Sequence, residues 1–211
     1  MTIAAISAHH IELSTFFPGE DIEWILLKAV PAAGEYPRVD IYLDLDFVNE
    51  EGRRQKLGRL LPALVLVNAV TPTLREIGLP FVRINGWPGF RERKLHELVI
   101  PDEATARRVT ELYTSLGCSY LQAPDTPGMI GPRIVAGIIN EAWHTWEEKV
   151  STKEEIDIAM KLGTNYPFGP FEWSELIGAG DVLGLLWSLN ATDPRYYPAK
   201  SLQQAVLRIK M

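Results

Sequence analysis

The spacing of apolar residues changes character near residue 124. Upstream, short apolar runs alternate with turns. Val39, Ile41, Leu43, Leu45 and Phe47 alternate with Asp40, Tyr42, Asp44 and Asp46, a period of two that predicts a half-buried strand. Residues 63–67 form an unbroken aliphatic run, as in a parallel strand covered on both faces. Residues 24–30, 81–85, 95–100 and 119–123 predict further strands, with short helices over 53–61, 72–77 and 103–116. Thr71 and Asp102 stand where helix caps are needed, and Gly117 where the longest of these helices should stop. Residues 1–20 show no readable period. Downstream, Ile134, Val135, Ile138, Ile139, Ala142, Trp143 and Trp146 recur at three and four residue spacings on more than one face, behind Pro132 at a first-turn position. That pattern predicts a central helix packed on several sides. Ser151 and Glu154 fit a capping box, Gly163 a stop, Pro170 a new start, and Asp181 and Ser201 two further caps. The expected class is α/β followed by all-α, with an α/β domain over 1–124 and a helical domain over 125–211.

Charge and composition narrow the partners. The 211 residues carry a net charge of −6, so no basic surplus exists to neutralise nucleic-acid phosphates. Cys118 is the single cysteine, which leaves no disulfide within the chain and no thiolate metal site. No apolar run reaches the ~18 residues of a membrane span, and the first residues lack a basic-then-apolar leader, so a cytoplasmic location is expected. Asp44 and Asp46 lie two apart on one strand face, a spacing that can hold a divalent cation, but no third oxygen ligand accompanies them. Adjacent His9 and His10 point in different directions on any regular element. No metal is therefore expected.

Two stretches carry a resemblance. Asp125-Thr126-Pro127-Gly128-Met129 leads into the central helix, and Glu155-Ile156-Asp157-Ile158-Ala159-Met160-Lys161-Leu162-Gly163 precedes Tyr166-Pro167-Phe168-Gly169-Pro170-Phe171-Glu172. Together they resemble the C-terminal domain of the 3-hydroxyacyl-CoA dehydrogenase family, with its D-T-P-G-F, E-D-I-D-x-A-M-K-L-G and Y-P-x-G-P-F-E elements. The resemblance implies a truncated Rossmann-like parallel sheet followed by a helical domain that forms a homodimer. It further implies NAD as coenzyme and an acyl-CoA of fatty-acid metabolism as substrate.

The family's functional positions can be placed one at a time. Gly19, Gly34, Gly52 and Gly58 do not show the G-x-G-x-x-G spacing that seats a pyrophosphate on a helix N-terminus. Asp44 falls on an acidic residue near the coenzyme. Asn68 survives from an N-T-S element whose serine falls on Val70. Glu97, in Lys94-Leu95-His96-Glu97, matches the catalytic acid. Twelve residues before it stands Asn85, where the family has its histidine base, and an amide cannot titrate near neutral pH. The asparagine of the same H-F-F-N-P element falls on Pro88, and a substrate-contacting asparagine falls on Pro132. His96 neighbours Glu97 but faces the other side of a strand. Arg91, Arg93 and Lys94 form a basic cluster suited to the phosphates of a CoA ester. Arg83 or Arg133 are possible ion-pair partners of Glu97. Trp143, Trp146, Trp173 and Trp187 suit the core or a dimer interface. Three readings follow. One is a catalytically degenerate family member. A second is an active NAD-dependent oxidoreductase with a site rebuilt around Glu97 and His9 or His10. The third is a non-catalytic dimeric interaction module.

Overall fold

The computed structural model describes residues 1–8, 13, 16–17 and 21–209. The chain forms two compact units, Met1–Met129 and Ile130–Met211.

Among the described residues of the first unit, seven strands make one sheet in the order β2-β1-β3-β4-β5-β6-β7. The strands are β1 (Thr2–Ile6), β2 (Glu23–Leu27), β3 (Ile41–Asp44), β4 (Leu64–Asn68), β5 (Val82–Ile84), β6 (Leu95–Val99) and β7 (Ser119–Gln122). Every neighbouring pair is parallel except β5 with β6. This is a Rossmann-like sheet. Its first strand comes from the stretch without readable period, because Thr2–Ile6 feeds both faces at once. Ile3 and Ala5 enter one core with Leu43, Leu66 and Ile84, under Val109 and Leu112 of α3 (Glu103–Ser115). Ala4 and Ile6 enter the other with Tyr42 and Val67, under Leu57 of α1 (Glu51–Gly58).

The same sandwiching corrects the expected half-buried strand. All four residues of β3 are buried, Tyr42 and Asp44 included. Alternation of apolar and polar types normally marks a strand with one wet face. Here β3 lies between β1 and β4 with helices on both sides, so its polar residues are buried with partners instead. Tyr42 reaches the Tyr36 carbonyl, and Asp44 takes Arg53.

Other boundaries shift by a few residues. Helix α2 (Leu74–Ile77) is capped by Thr73 in a box with Glu76, not by Thr71. Asp125 to Met129 stay with the first unit: the Gly128 N–H donates to the Val70 carbonyl, and the Asp125 carboxylate accepts the N–H groups of Leu74 and Arg75 at the start of α2.

The second unit is helical: α4 (Gly131–Glu147), α5 (Lys153–Thr164), α6 (Pro170–Ile177), α7 (Ala179–Asn190), a 3-10 turn at Pro194–Tyr196, and α8 (Lys200–Ile209). Pro132 sits in the first turn of α4, as its missing N–H allows. The capping box of α5 is Thr152 with Glu155, one residue beyond Ser151 and Glu154, and that register turns Ile156 and Asp157 inward. Gly163 lies inside α5, which ends on left-handed Asn165. Gly178 precedes α7 and Asp181 lies in its first turn. Ser201 is the second residue of α8, its N–H bound to the Glu147 carboxylate. Trp143 and Trp173 are buried, whereas Trp146 and Trp187 are partly exposed.

The sequence element that carried the resemblance is held together by a chain of hydrogen bonds. The Asp157 carboxylate accepts the N–H groups of Phe171 at 2.8 Å and Glu172 at 3.1 Å, capping α6 from the neighbouring helix. Glu172 in turn accepts from the Gly169 N–H and from Lys161. A Cβ on Gly169 would overlap the Asp157 carboxylate, so glycine is required there by the cap rather than by its φ of −72°. Asp157→Ala should lower the unfolding free energy by about 1–2 kcal/mol through the lost cap, and Gly169→Ala by about 1–3 kcal/mol through the clash. In urea denaturation the double variant should lose less than the sum of the two, because removing the carboxylate makes room for the methyl group. Strict additivity would contradict this coupling.

Candidate active site

In a sheet of this topology, ligands bind beyond the carboxyl ends of the strands where the strand order reverses. That point lies between β1 and β3, because β2 and β3 flank β1 on opposite sides. At that point the chain makes contacts of its own. The Asp46 carboxylate accepts the Ser7 hydroxyl at 3.1 Å on Oδ1 and the Ala8 N–H at 2.5 Å on Oδ2. A main-chain N–H that follows a first parallel strand is the type of donor that meets a phosphate in dinucleotide-binding sheets. In this chain its acceptor is an internal carboxylate.

Beside it, Asp44 is fully buried and held bidentately by Arg53, with Nε to Oδ2 at 2.7 Å and Nη2 to Oδ1 at 2.6 Å. Oδ1 also accepts the Asp46 N–H at 3.2 Å. Burial pushes the Asp44 carboxyl up from its ordinary value, opposed by the hydrogen bonds and charge of Arg53. The same hydrogen bond to Asp44 is the main reason the guanidinium titrates above its ordinary range. Asn68 is equally committed. Its Nδ2 donates to the Leu45 carbonyl at 3.2 Å and its Oδ1 accepts the Gly86 N–H at 3.0 Å, tying the ends of β3, β4 and β5 together. The amide comes so close to Gly86 that a Cβ there would stand 2.8 Å from Asn68 Cγ.

The β5–β6 ladder pairs Arg83 with Val99 and Ile84 with Leu98, and continues through an Asn85 N–H to Glu97 carbonyl bond at 3.1 Å. Asn85 and Glu97 are therefore cross-strand neighbours on one face, and His96 belongs to the other. Asn85 is 2% exposed. Its Oδ1 accepts the Trp87 N–H at 3.3 Å, which fixes the orientation of the amide, and Nδ2 has no acceptor among the described residues.

Comparison with known proteins decides what this arrangement descends from. The family described as 3-hydroxyacyl-CoA dehydrogenase, C-terminal domain, matches residues 128–210. The 3-hydroxyadipyl-CoA dehydrogenase of Escherichia coli (strain K12) is 40% identical over 111 residues, 52% of this chain and 23% of that protein. The mitochondrial hydroxyacyl-coenzyme A dehydrogenase of Homo sapiens is 30% identical over 148 residues, 69% of this chain and 46% of that one. The chain belongs to the 3-hydroxyacyl-CoA dehydrogenase family. It spans less than half the length of either of these two relatives. In fold it is similar to the (S)-3-hydroxybutyryl-CoA dehydrogenase of Ralstonia eutropha, with a TM-score of 0.71 at 23% identity, covering 89% of this chain and 70% of that one.

The remaining family positions fall in both units. Pro132 is buried in the first turn of α4, and Pro88 lies in the turn after Trp87. The basic cluster does not converge. Arg91 pairs with Glu92 at 2.9 Å, Arg93 donates to the Gly89 carbonyl at 2.8 Å and lies over the Phe90 ring, and Lys94 is exposed. Arg83 does not spend its side chain on Glu97. It is fully buried, bonded to the carbonyls of Ala69, Val70 and Thr126 and to Asp125 at 2.6 Å, and its burial lowers its pKa. Arg133 meets Tyr196. An arginine between Val82 and Ile84 on a buried strand was a readable sign of such an anchor. His9 and His10 lie outside the described residues. Among the described residues no group of three or more His, Cys, Asp or Glu side chains could hold a metal ion.

His96 is fully accounted for by the core. It is 1% exposed, packed against Phe16 and Phe17 at ring distances of 5.2 and 5.3 Å. A carbonyl can only accept, so Nε2–H donates to Arg91 O at 3.3 Å, and Nδ1 accepts the Tyr113 hydroxyl at 3.0 Å. That pattern requires the neutral ring, and burial lowers the His96 pKa below its ordinary 6.5. The unfolded chain then binds more protons than the native one below 6.5, so this contribution to stability is present above that value and fades as pH falls. Unfolding free energy should drop as pH is lowered from about 7 to about 5, with a shallower slope for His96→Gln. Equal slopes for both proteins would contradict a buried neutral imidazole.

Proposed function

We propose that this chain is a 3-hydroxyacyl-CoA dehydrogenase-like protein that has given up the hydride-transfer reaction while keeping an acyl-CoA-type ligand. The family reaction moves a hydride between NAD and the C3 position of an acyl-CoA while a base handles the hydroxyl proton. One observation carries the reading. The Asp46 carboxylate, bound by Ser7 and Ala8, takes the donors at the switch point, so a pyrophosphate would meet a fixed negative charge in place of its cradle. Asn85 supports it as well. An amide at the base position cannot take a proton, whereas its unpaired Nδ2–H can hold a carbonyl oxygen. Glu97 beside it then serves as a polar neighbour of the bound carbonyl rather than as half of an acid–base pair.

The surface of the helical unit supports a homodimer. It presents Val150, Ile158, Leu162 and Leu207 at its surface, Leu162 being 83% exposed. An apolar depression of about 410 Å³ between α4 and α5, lined by Ile138, Ala142, Ile156, Ala159 and Met160, lies in the same unit. Exposed apolar area of this kind is what association covers. No described helix is long and apolar enough to cross a membrane.

Two measurements test these statements. Acetoacetyl-CoA with NADH should give no coenzyme oxidation, and Asn85→His should not restore it, because the crevice stays closed. Turnover by either protein at an ordinary rate would overturn the reading. Light scattering should give twice the chain mass, and Leu162→Glu should shift it toward one chain. A monomer in the unaltered protein would remove the dimer.

A further inference from the structure

Two guanidinium groups on the helical unit converge on a single neutral oxygen. Arg133 Nε–H donates to the Tyr196 hydroxyl oxygen at 2.9 Å and Arg195 Nη2–H donates to the same atom at 2.7 Å. Both cations also lie over the Tyr196 ring, at 5.1 and 4.7 Å from its centroid. Two like charges held on one acceptor repel each other, and a nearby anion relieves that repulsion. Only one carboxylate is present among the described residues, Asp193, which pairs with Arg195 Nε at 2.9 Å. Among the described residues Arg133 has no carboxylate partner, and no acidic residue lies in the first turn of α4, where Arg133 stands. Arg133 Nη1 and Nη2 and Arg195 Nη1 have no acceptor among the described residues, which leaves the outer edge of the Arg133 fork open.

The platform beneath these groups is fixed. Asn140, buried in α4, donates Nδ2–H to the Tyr197 carbonyl at 3.0 Å and accepts the Ala199 N–H at 2.9 Å, so the segment bearing Arg195 and Tyr196 is tied to the helix bearing Arg133. Asp193 accepts the Arg195 main-chain N–H at 3.1 Å, and the Trp187 ring packs edge-on against Tyr197 at 5.4 Å. The charged ends are therefore arranged before any ligand arrives, and less side-chain freedom is lost when one binds.

We propose that Arg133, Arg195 and Tyr196 form a site for a terminal phosphoryl group. A phosphate monoester brings three oxygens and close to two negative charges, enough to accept from the open Arg133 fork and from Arg195 at once while the phenol holds the two cations in place. The inference rests on the acyl-CoA reading only for the source of the phosphate. Coenzyme A carries such a group on its ribose, and free inorganic phosphate offers the same chemistry.

The test is calorimetric titration of the full chain with coenzyme A, dephospho-coenzyme A and inorganic phosphate, repeated with Arg133→Gln, Arg195→Gln and Asn85→Ala. The expected result is binding of coenzyme A, weaker binding of the dephospho form, and a loss of about tenfold or more in each arginine variant, as for removal of a charge-assisted hydrogen-bonded pair. Unchanged melting temperatures of the unliganded variants would show that the fold is intact. Tyr196→Phe keeps both cations and removes the oxygen that gathers them, so it should also weaken binding. Coenzyme A binding that falls in Asn85→Ala yet is equal in both arginine variants would overturn the inference and leave the acyl-CoA reading standing. Inorganic phosphate binding that depends on Arg133, without coenzyme A binding, would support the site and remove that reading. Failure of all three ligands to bind would overturn both.

Discussion

The Asp46 carboxylate ties the end of β3 to the end of β1 in the first unit. The Ala8 N–H and Ser7 hydroxyl need an acceptor at the end of β1, and Asp46 supplies it from the end of β3. Buried polar groups are rarely left unpaired, and Asp46 pairs the buried Ser7 hydroxyl. Once Asp46 is turned toward β1, its own N–H falls to Asp44, and Asp44 is buried deeply enough to require Arg53. Asn68 then ties the Leu45 carbonyl to Gly86, the residue after Asn85. Each contact meets a need created by the one before it.

The helical unit shows why family membership is so visible when the chemistry is not. The stretch from Glu155 to Glu172 is a folding device. Asp157 caps α6, Gly169 leaves room for that cap, and Glu172 closes back on Gly169 and Lys161. None of these residues handles a proton or a hydride in the arrangement described here. A signature of this kind is retained as long as the helices must pack, whatever happens to the sheet. The capping contacts of Asp125 on α2, together with its ion pair to Arg83, suggest the same for the preceding element.

Much of this was legible in the residues, and the misreadings have physical causes. Parallel strand β4 and helices α3, α4 and α6 came directly from apolar spacing and from Pro and Asp positions. Strand β1 was invisible because two alanines among its five residues blur both periods, although each face of the strand is buried. Alternation in β3 was read as a wet face, when the polar side was paying for burial with an arginine nine residues away. The capping box of α5 was misplaced by one residue because Ser151 and Thr152 each precede a glutamate by three, and only the packing of Ile156 decides between them. Asn85 was matched to Glu97 only through the family's twelve-residue spacing, and the antiparallel β5–β6 ladder sets the two side by side. The contacts at the ends of β1 and β3 could not be read at all. Ser7, Asp46 and Arg53 are ordinary residues until the sheet order brings them together.

The most direct measurement is a crystal structure of the chain grown with NADH at high concentration. Asp46 should remain on Ser7 and Ala8, Arg53 on Asp44, and no dinucleotide should lie against the end of β1. Ordered pyrophosphate at the Ala8 N–H, with Asp46 displaced from it, would contradict the claim that the crevice is closed by its own carboxylate.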